Sequence, residues 1–533
     1  MDTVDQLLRA QWNDHRPGLR YQDLELTRHD IAAAAAARAA LLADLLPPGR
    51  EPHVGVLLGN VPEYPLWLSA AALAGAAVVG INPTRRGEEL ARDIRHTECA
   101  VIVTDREQLP LVAGLGIPLL VTDADTYEQQ LAPHRSAQPA DFPERAPADR
   151  MLLTFTSGST GAPKAVIVTQ GRLARAGQAL ARQFRLGAED VHYVCMPLFH
   201  GNAVIAGWAP ALAGGGAVAL RRSFSASGFL PDVRRYGATY FTYIGRAVQY
   251  ILATPPTDND RQHQLRMGFG TEAGAVDAAR FEERFGAPLI EGYGSSEGGA
   301  AIQRTPGTPA GAVGRASPGD DLAVVDPATG VECPPGVIGE LVNRSASARR
   351  FEGYWRNEQA AEERRRGGWY WSGDLFTQDE DGWLYFAGRA DDRLRVDGEN
   401  LAAAVIEGIL ARYEPAAAAC VYAVPDPVTG DQVMAALALH GNTFDPEDFR
   451  AFLTAQDDLG TKAAPRFVRI MEHLPVTATS KVRRSELRAE AFRCADPVWW
   501  APEGGAYRPL AAPELEKLLR QYEEHDRAGR LRC

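Results

Sequence analysis

Between His53 and Ile81 the chain sets two short apolar runs, residues 54–58 and 76–81, on either side of a longer mixed stretch that opens at about Pro62. A short apolar run bounded by turn residues reads as a buried strand, and the stretch between is long enough for a helix. The span therefore predicts a strand–helix–strand unit, which favours a parallel sheet with right-handed crossovers. Residues 183–220 predict a second succession of this kind, with Gly214, Gly215 and Gly216 turning the chain into a strand at 217–220. Residues 31–46 are Ala-rich, yet Leu41, Leu42, Leu45 and Leu46 give them an apolar face, so they predict a helix.

The polar, Pro/Gly-rich span 305–320 predicts a connection into a β-rich subdomain, with strands at 322–325 and 338–342. Farther on, residues 400–413 predict a helix, 416–424 a strand and 446–453 another helix, with Asp445 as its N-cap and Pro446 in its first position. The main boundary is placed at Asp391, giving a large domain 1–390 and a small α+β domain 391–533. The expected class is α/β, with βαβ sheets and a β-rich subdomain in the large domain.

A length of 533 residues exceeds what one core supports, in line with this division. The net charge of −12 argues against a general nucleic-acid binder, which needs concentrated Lys and Arg. The six cysteines are scattered with no Cys-x-x-Cys pair, which predicts reduced thiols in a cytoplasmic protein and no zinc site. Met1 leads directly into polar residues, unlike a secretory signal. The longest apolar stretch, 67–81, is shorter than the ~20 residues of a membrane span, so no integral membrane segment is expected.

The distinctive chemistry lies at 154–166, where Thr154, Thr156, Ser157, Gly158, Ser159, Thr160, Gly161 and Lys164 form a hydroxyl- and glycine-rich tract between two apolar runs. Glycines let main-chain N–H groups approach a polyphosphate, hydroxyls add donors and a lysine follows the charge. A Walker A loop requires Gly-Lys-Ser/Thr, whereas here Lys164 follows Gly161, Ala162 and Pro163. The apolar flanks argue for a loop held between strands and against a flexible linker.

Residues 156–164 resemble the phosphate-binding signature of the adenylate-forming superfamily. More of its pattern follows in order: Glu291-Gly292-Tyr293-Gly294-Ser295-Ser296-Glu297, Ser372-Gly373-Asp374, Gly388-Arg389-Ala390-Asp391-Asp392, and 475–481 ending in Lys481. Tyr243-Ile244-Gly245, Phe281-Glu282-Glu283-Arg284-Phe285-Gly286, Gly398-Glu399-Asn400-Leu401 and the tail Asp496-Pro497-Val498-Trp499-Trp500 are similar to one branch, the very-long-chain acyl-CoA synthetases and fatty-acid transport proteins. The chain departs from the pattern at Ser296 (usually Thr), Ser480 (usually Gly), Gly270-Thr271-Glu272 (in this branch Gly-Asn-Gly), Arg246 (commonly acidic) and Arg395 (often Lys).

The resemblance implies an ATP-dependent acyl-CoA ligase of a soluble, bacterial type that activates a hydrophobic monocarboxylic acid, a long-chain fatty acid or a bulky polycyclic or terpenoid acid. The acid forms an acyl-adenylate with release of pyrophosphate, and the CoA thiol then displaces AMP. In this reading Thr156 to Gly161 and Lys164 hold the β- and γ-phosphates, and Tyr293 stacks on adenine with Glu291, Gly292, Gly270, Thr271 and Glu272 at its edge. Ser296 donates to the α-phosphate and Glu297 helps bind Mg²⁺, an oxygen-seeking cation. Asp374 accepts from the ribose hydroxyls, Arg389 contacts ribose or phosphate, Asp391 is the hinge of a mobile small domain, Lys481 is catalytic and Gly398 borders the CoA channel. His200 is expected as a gate, with Trp208, Tyr243, Gly268 and Phe269 lining the acyl pocket. ATP, Mg²⁺, CoA and a small carboxylic acid are the expected ligands, and a homodimer is left open.

Three rivals remain at this stage. An amino-acid activator would place a carboxylate near 239–242, and that stretch is Thr-Tyr-Phe-Thr. An acyl-AMP ligase loading a carrier protein usually has an insertion not identifiable here. A non-catalytic nucleotide- or lipid-binding homologue would be expected to lack some of Lys164, Glu297, Asp374, Arg389 and Lys481, and all five are present.

Overall fold

The computed structural model describes the chain except residues 47–48, 156–163, 272, 274, 306, 390–392, 397–398, 428–430, 442, 457, 461, 478–481, 503–504, 525–530 and 532–533; for 275, 389, 393, 395, 399 and 400 it describes the backbone alone. Two compact units result, one of Met1–Pro318 with Ser345–Tyr370, the other of Gly319–Arg344 with Trp371–Cys533.

The first unit carries two sheets. In the six-stranded one, His53–Leu57, the helix Glu63–Ala74 and Ala77–Gly80 form the expected βαβ unit, its strands parallel with Val54 opposite Val78. The helix ends on Gly75, whose φ of +69° is the left-handed conformation that glycine adopts without strain. The sheet finishes with Arg150–Phe155 and Ala165–Thr169, paired antiparallel with Phe155 opposite Ala165. The tract 156–163 thus leaves and re-enters adjacent strands, as its apolar flanks require; the tract itself lies outside the described residues. The Ala-rich helix runs Arg28–Leu45, starting one turn earlier than predicted because Thr27 and Asp30 close a capping box.

The eight-stranded sheet includes the parallel neighbours Val191–Val194, Tyr240–Ile244, Met267–Thr271 and Leu289–Gly294. Between Val191–Val194 and Ala217–Leu220 the chain makes a π-helix, Ala203–Trp208, then the short helix Ala209–Gly214. Pro210 has no N–H to offer the Ala206 carbonyl, and the Tyr240 hydroxyl donates to it instead at 2.9 Å. His192 Nδ1–H donates to the Gly207 carbonyl at 3.2 Å. The widened turn is therefore supported by two side chains from neighbouring strands.

Burial lowers the pKa of His192 from 6.5 to about 4, so the unfolded chain takes up a proton that the folded one refuses. Stability from this group is complete above the unfolded value of 6.5 and falls as the pH drops from there toward 4. Going from pH 7 to pH 5 should cost about 2 kcal/mol through His192 alone. Equilibrium unfolding of His192→Gln should show a pH dependence shallower by that amount; parallel curves for the two proteins would exclude this histidine as a source.

The second unit contains three sheets. The two expected strands, Leu322–Val325 and Gly339–Asn343, pair antiparallel in a four-stranded sheet with Tyr370–Gln378 and Leu384–Arg389. A five-stranded sheet begins with Ala416–Pro425 and Asp431–Leu439. The helix Pro446–Thr454 is capped as predicted, Asp445 accepting from the N–H groups of Glu447 and Asp448. One expectation is corrected: residues 400–402 do not begin a helix. Glu399–Ala402 pairs antiparallel with Arg393–Val396, and the helix spans only Ala403–Leu410. The apolar pattern of 401–406 suits either element, and the facing strand decides.

Among the described residues no helix is long and apolar enough to cross a membrane.

Candidate active site

In the first unit, the ends of Tyr240–Ile244, Met267–Thr271 and Leu289–Gly294 bring Tyr243, Gly270 and Glu291 into register on adjacent strands. Ligands of open parallel sheets sit beyond such carboxyl ends. Gly270 is required there, because an added Cβ would stand 2.2 Å from the Tyr243 carbonyl oxygen. Thr271 ends its strand, Glu272 lies outside the described residues, and Gly292 and half-buried Tyr293 continue the neighbouring strand, Tyr293 opposite Ile302.

The chain then turns through Ser295 to Gly298, with Gly298 at φ +68° and its N–H on the Ser295 carbonyl at 3.0 Å. Glu297 is 7% exposed, and its Oε1 accepts from the Tyr354 hydroxyl at 2.8 Å. Burial, then the Glu297 charge, push the Tyr354 phenol well above its usual range, so it stays a donor. Tyr354 also bridges Val166, and Trp355 N–H reaches the Ala165 carbonyl at 2.8 Å. That link ties the strand directly after Lys164, itself half-buried, to the Glu297 carboxylate. Beneath the turn, the Arg172 guanidinium donates to the Ser296 carbonyl.

On the opposite side is the loop of His200. A Cβ on Gly201 would lie 3.2 Å from Ser296 Oγ, so this loop and the Ser296 hydroxyl are neighbours. Asn60, 3% exposed, holds the loop from the six-stranded sheet: its amide donates to the Met196 carbonyl at 2.8 Å and accepts from Leu198 N–H at 2.9 Å. His200 packs on Phe199 with ring centroids 4.3 Å apart.

The residues expected to line the acyl pocket make core contacts. Trp208 is 5% exposed at the end of the π-helix, and buried Tyr243 donates its hydroxyl to the Ile290 carbonyl at 3.1 Å. Gly268 lies against the Phe241 ring, which an added Cβ would approach to 2.4 Å, and Phe269 packs on Phe184 at 5.0 Å.

In the second unit, Asp374 and Arg389 are direct cross-strand partners. Glu340 Oε1 accepts from Gly373 N–H at 2.8 Å and the Ser372 hydroxyl donates to the Leu341 carbonyl at 2.7 Å, fixing the turn into Asp374. Asp391, Gly398 and Lys481 lie outside the described residues.

Sequence reasoning missed Arg172, Tyr354 and Asn60. Each makes its contact across 57 or more residues of chain, which no local spacing reveals, except that Tyr354 sits in a conspicuous Gly-Tyr-Trp between polar stretches.

This arrangement brings together the ends of three parallel strands, a buried carboxylate and the paired strands that flank the glycine-rich tract. The chain belongs to the AMP-binding enzyme family, which it matches over residues 9–355, with the AMP-binding enzyme C-terminal domain over 405–481. Within that family it is an AMP-forming acyl-CoA ligase. It is 48% identical to the steroid-22-oyl-CoA synthetase of Rhodococcus jostii (strain RHA1), over 98% of each chain. It is also 48% identical to the medium/long-chain-fatty-acid–CoA ligase FadD17 of Mycobacterium tuberculosis (strain ATCC 25618 / H37Rv), over 93% of this chain and 98% of that one. Long-chain fatty acid transport protein 1 of Homo sapiens is 30% identical over 82% of this chain and 74% of its own, in keeping with the branch resemblance. Of solved structures, the anthranilate CoA ligase AuaEII in complex with anthranoyl-AMP superposes with a TM-score of 0.81 over 92% of this chain and 97% of its own, at 23% identity, a likeness of fold.

Proposed function

We propose that the acid is polycyclic, a steroid-type molecule bearing a side-chain carboxyl. Similarity over 98% of both chains to a steroid-22-oyl-CoA synthetase carries this reading. A medium- or long-chain fatty acid is the second reading, favoured by the equal identity to FadD17 over a slightly smaller share of the chain.

A carboxylate resists thiol attack because its charge repels nucleophiles and its oxygen leaves poorly. One of its oxygens attacks the α-phosphorus of ATP, the bond to the bridging oxygen breaks and pyrophosphate departs. The CoA thiolate then attacks the acyl carbon, and AMP departs. In the first step Thr156, Ser157, Gly158, Ser159, Thr160, Gly161 and Lys164 hold the outer phosphates, and Ser296 donates to the α-phosphate. Lys481 bridges carboxylate and phosphate oxygens, while Tyr293, Asp374 and Arg389 hold the nucleoside.

The donor chemistry of Glu297 fits Mg²⁺: it is a carboxylate with one oxygen fixed by Tyr354, and among the described residues none hydrogen-bonds its Oε2. The ion, when bound there, supplies neutralisation of phosphate charge. Asp391 serves as the hinge between domains 1–390 and 391–533, Gly398 borders the thiol channel, and His200 gates it. A CoA thiol is the acceptor, with the reaction in the cytoplasm.

The test is a panel of steroid side-chain acids and linear acids, each assayed with ATP and CoA for thioester formation. A higher kcat/KM for the polycyclic acids is expected. A preference for linear chains would transfer the assignment to the second reading, and thioester formed only on a carrier protein would overturn CoA as acceptor.

A further inference from the structure

Arg172, the third residue of the helix Gln170–Phe184, is 8% exposed. Its Nη1 donates to the Ile167 carbonyl at 3.1 Å and its Nη2 to the Ser296 carbonyl. The left-handed Gly298 makes room for it, since a Cβ there would stand 2.3 Å from Nη2. Among the described residues no carboxylate lies within ion-pair distance of this guanidinium. Glu352, the nearest in influence, is spent on Thr169, accepting from its N–H at 2.8 Å and its hydroxyl at 2.6 Å, and Glu297 is engaged by Tyr354.

A buried cation bonded only to neutral carbonyls is expensive for folding, and an apolar side chain of similar volume would be less so. Burial lowers the Arg172 pKa, against the pull of Glu352 and Glu297, so the surroundings do not fully compensate its charge. Its location gives that charge a use. It lies directly behind the turn that carries Ser296 and Glu297, where phosphate charge must be met, and it fixes the carbonyl between them.

We propose that Arg172 is a positioning residue for adenylation: it clamps the Ser296–Glu297 turn through the Ser296 carbonyl and places positive charge behind it. This rests on the roles given above to Ser296 and Glu297. A displacement of the turn by about 1 Å is enough to cost roughly 100-fold in rate.

The experiment compares Arg172→Met, Arg172→Lys and Glu297→Gln in acid-dependent ATP–pyrophosphate exchange, with the KM for the acid and the thermal midpoint measured in parallel. Arg172→Met should lose about 100-fold in exchange with the KM for the acid unchanged. Arg172→Lys keeps the charge and one carbonyl bond, and should recover about tenfold of the loss. Exchange near the wild-type rate in Arg172→Met overturns the proposal, as does Arg172→Lys performing no better than Arg172→Met when both fold. Should Arg172→Met fail to fold, Arg172→Lys decides by itself: a loss of about tenfold at unchanged acid KM supports the clamp, and a wild-type rate overturns it. Glu297→Gln separates the two levels. If it exchanges normally, the reading of the turn and this inference fall together; if it is impaired while Arg172→Met is normal, only the inference falls.

Discussion

Lys481→Ala is expected to slow acyl-adenylate formation by about 10²–10³-fold while leaving thioester formation from a supplied acyl-adenylate close to the wild-type rate. The negative charge that needs a cation develops on the phosphate and carboxylate oxygens during the first step, and loss of one oriented donor at such a point costs about 2.7–4 kcal/mol. In the second step pyrophosphate has gone and a neutral thioester forms, so a lysine at this position has little left to stabilise. Single-turnover assays of the two half-reactions check the split. Equal damage to both would place Lys481 among groups that merely hold the nucleotide.

The second large effect is expected at Asp374. Its carboxylate has two oxygens, suited to the two hydroxyls of a ribose, and charge-assisted hydrogen bonds of this kind are worth about 1.5–3 kcal/mol each. The turn into it is held by Glu340 and Ser372, so Asp374→Ala should remove the contacts without collapsing the loop. The KM for ATP should rise about 100-fold, with the order of preference among acids unchanged. An altered acid preference at normal ATP affinity would show that Asp374 faces the acyl group instead.

Local patterns were enough to write down much of the fold. The βαβ unit at 53–81 is legible because buried parallel strands are continuous apolar runs and the helix between them ends on a glycine. The helix after Asp445 is legible because an N-cap carboxylate and a first-turn proline act within four residues. The start of Ala403–Leu410 is not legible, since residues 399–402 become a strand only when 393–396 is present to pair with them. The π-helix Ala203–Trp208 escapes notice for a related reason: its displaced carbonyls are answered by His192 and Tyr240, from other strands.

For the site the division runs between chemistry and support. The sequence by itself supplied the candidate groups, because a hydroxyl- and glycine-rich tract, the tyrosine of Glu291-Gly292-Tyr293-Gly294 and a carboxylate after two serines are short runs whose residue types suit phosphate and nucleotide chemistry. Tertiary structure alone decided what holds them. Tyr354 reaches Glu297 over 57 residues, Arg172 reaches Ser296 over 124, and Asn60 reaches Met196 over 136. A buried cation or amide has a meaning only in relation to the carbonyls around it, and those are assembled by packing of sheets and helices, at separations where the sequence has no period to read.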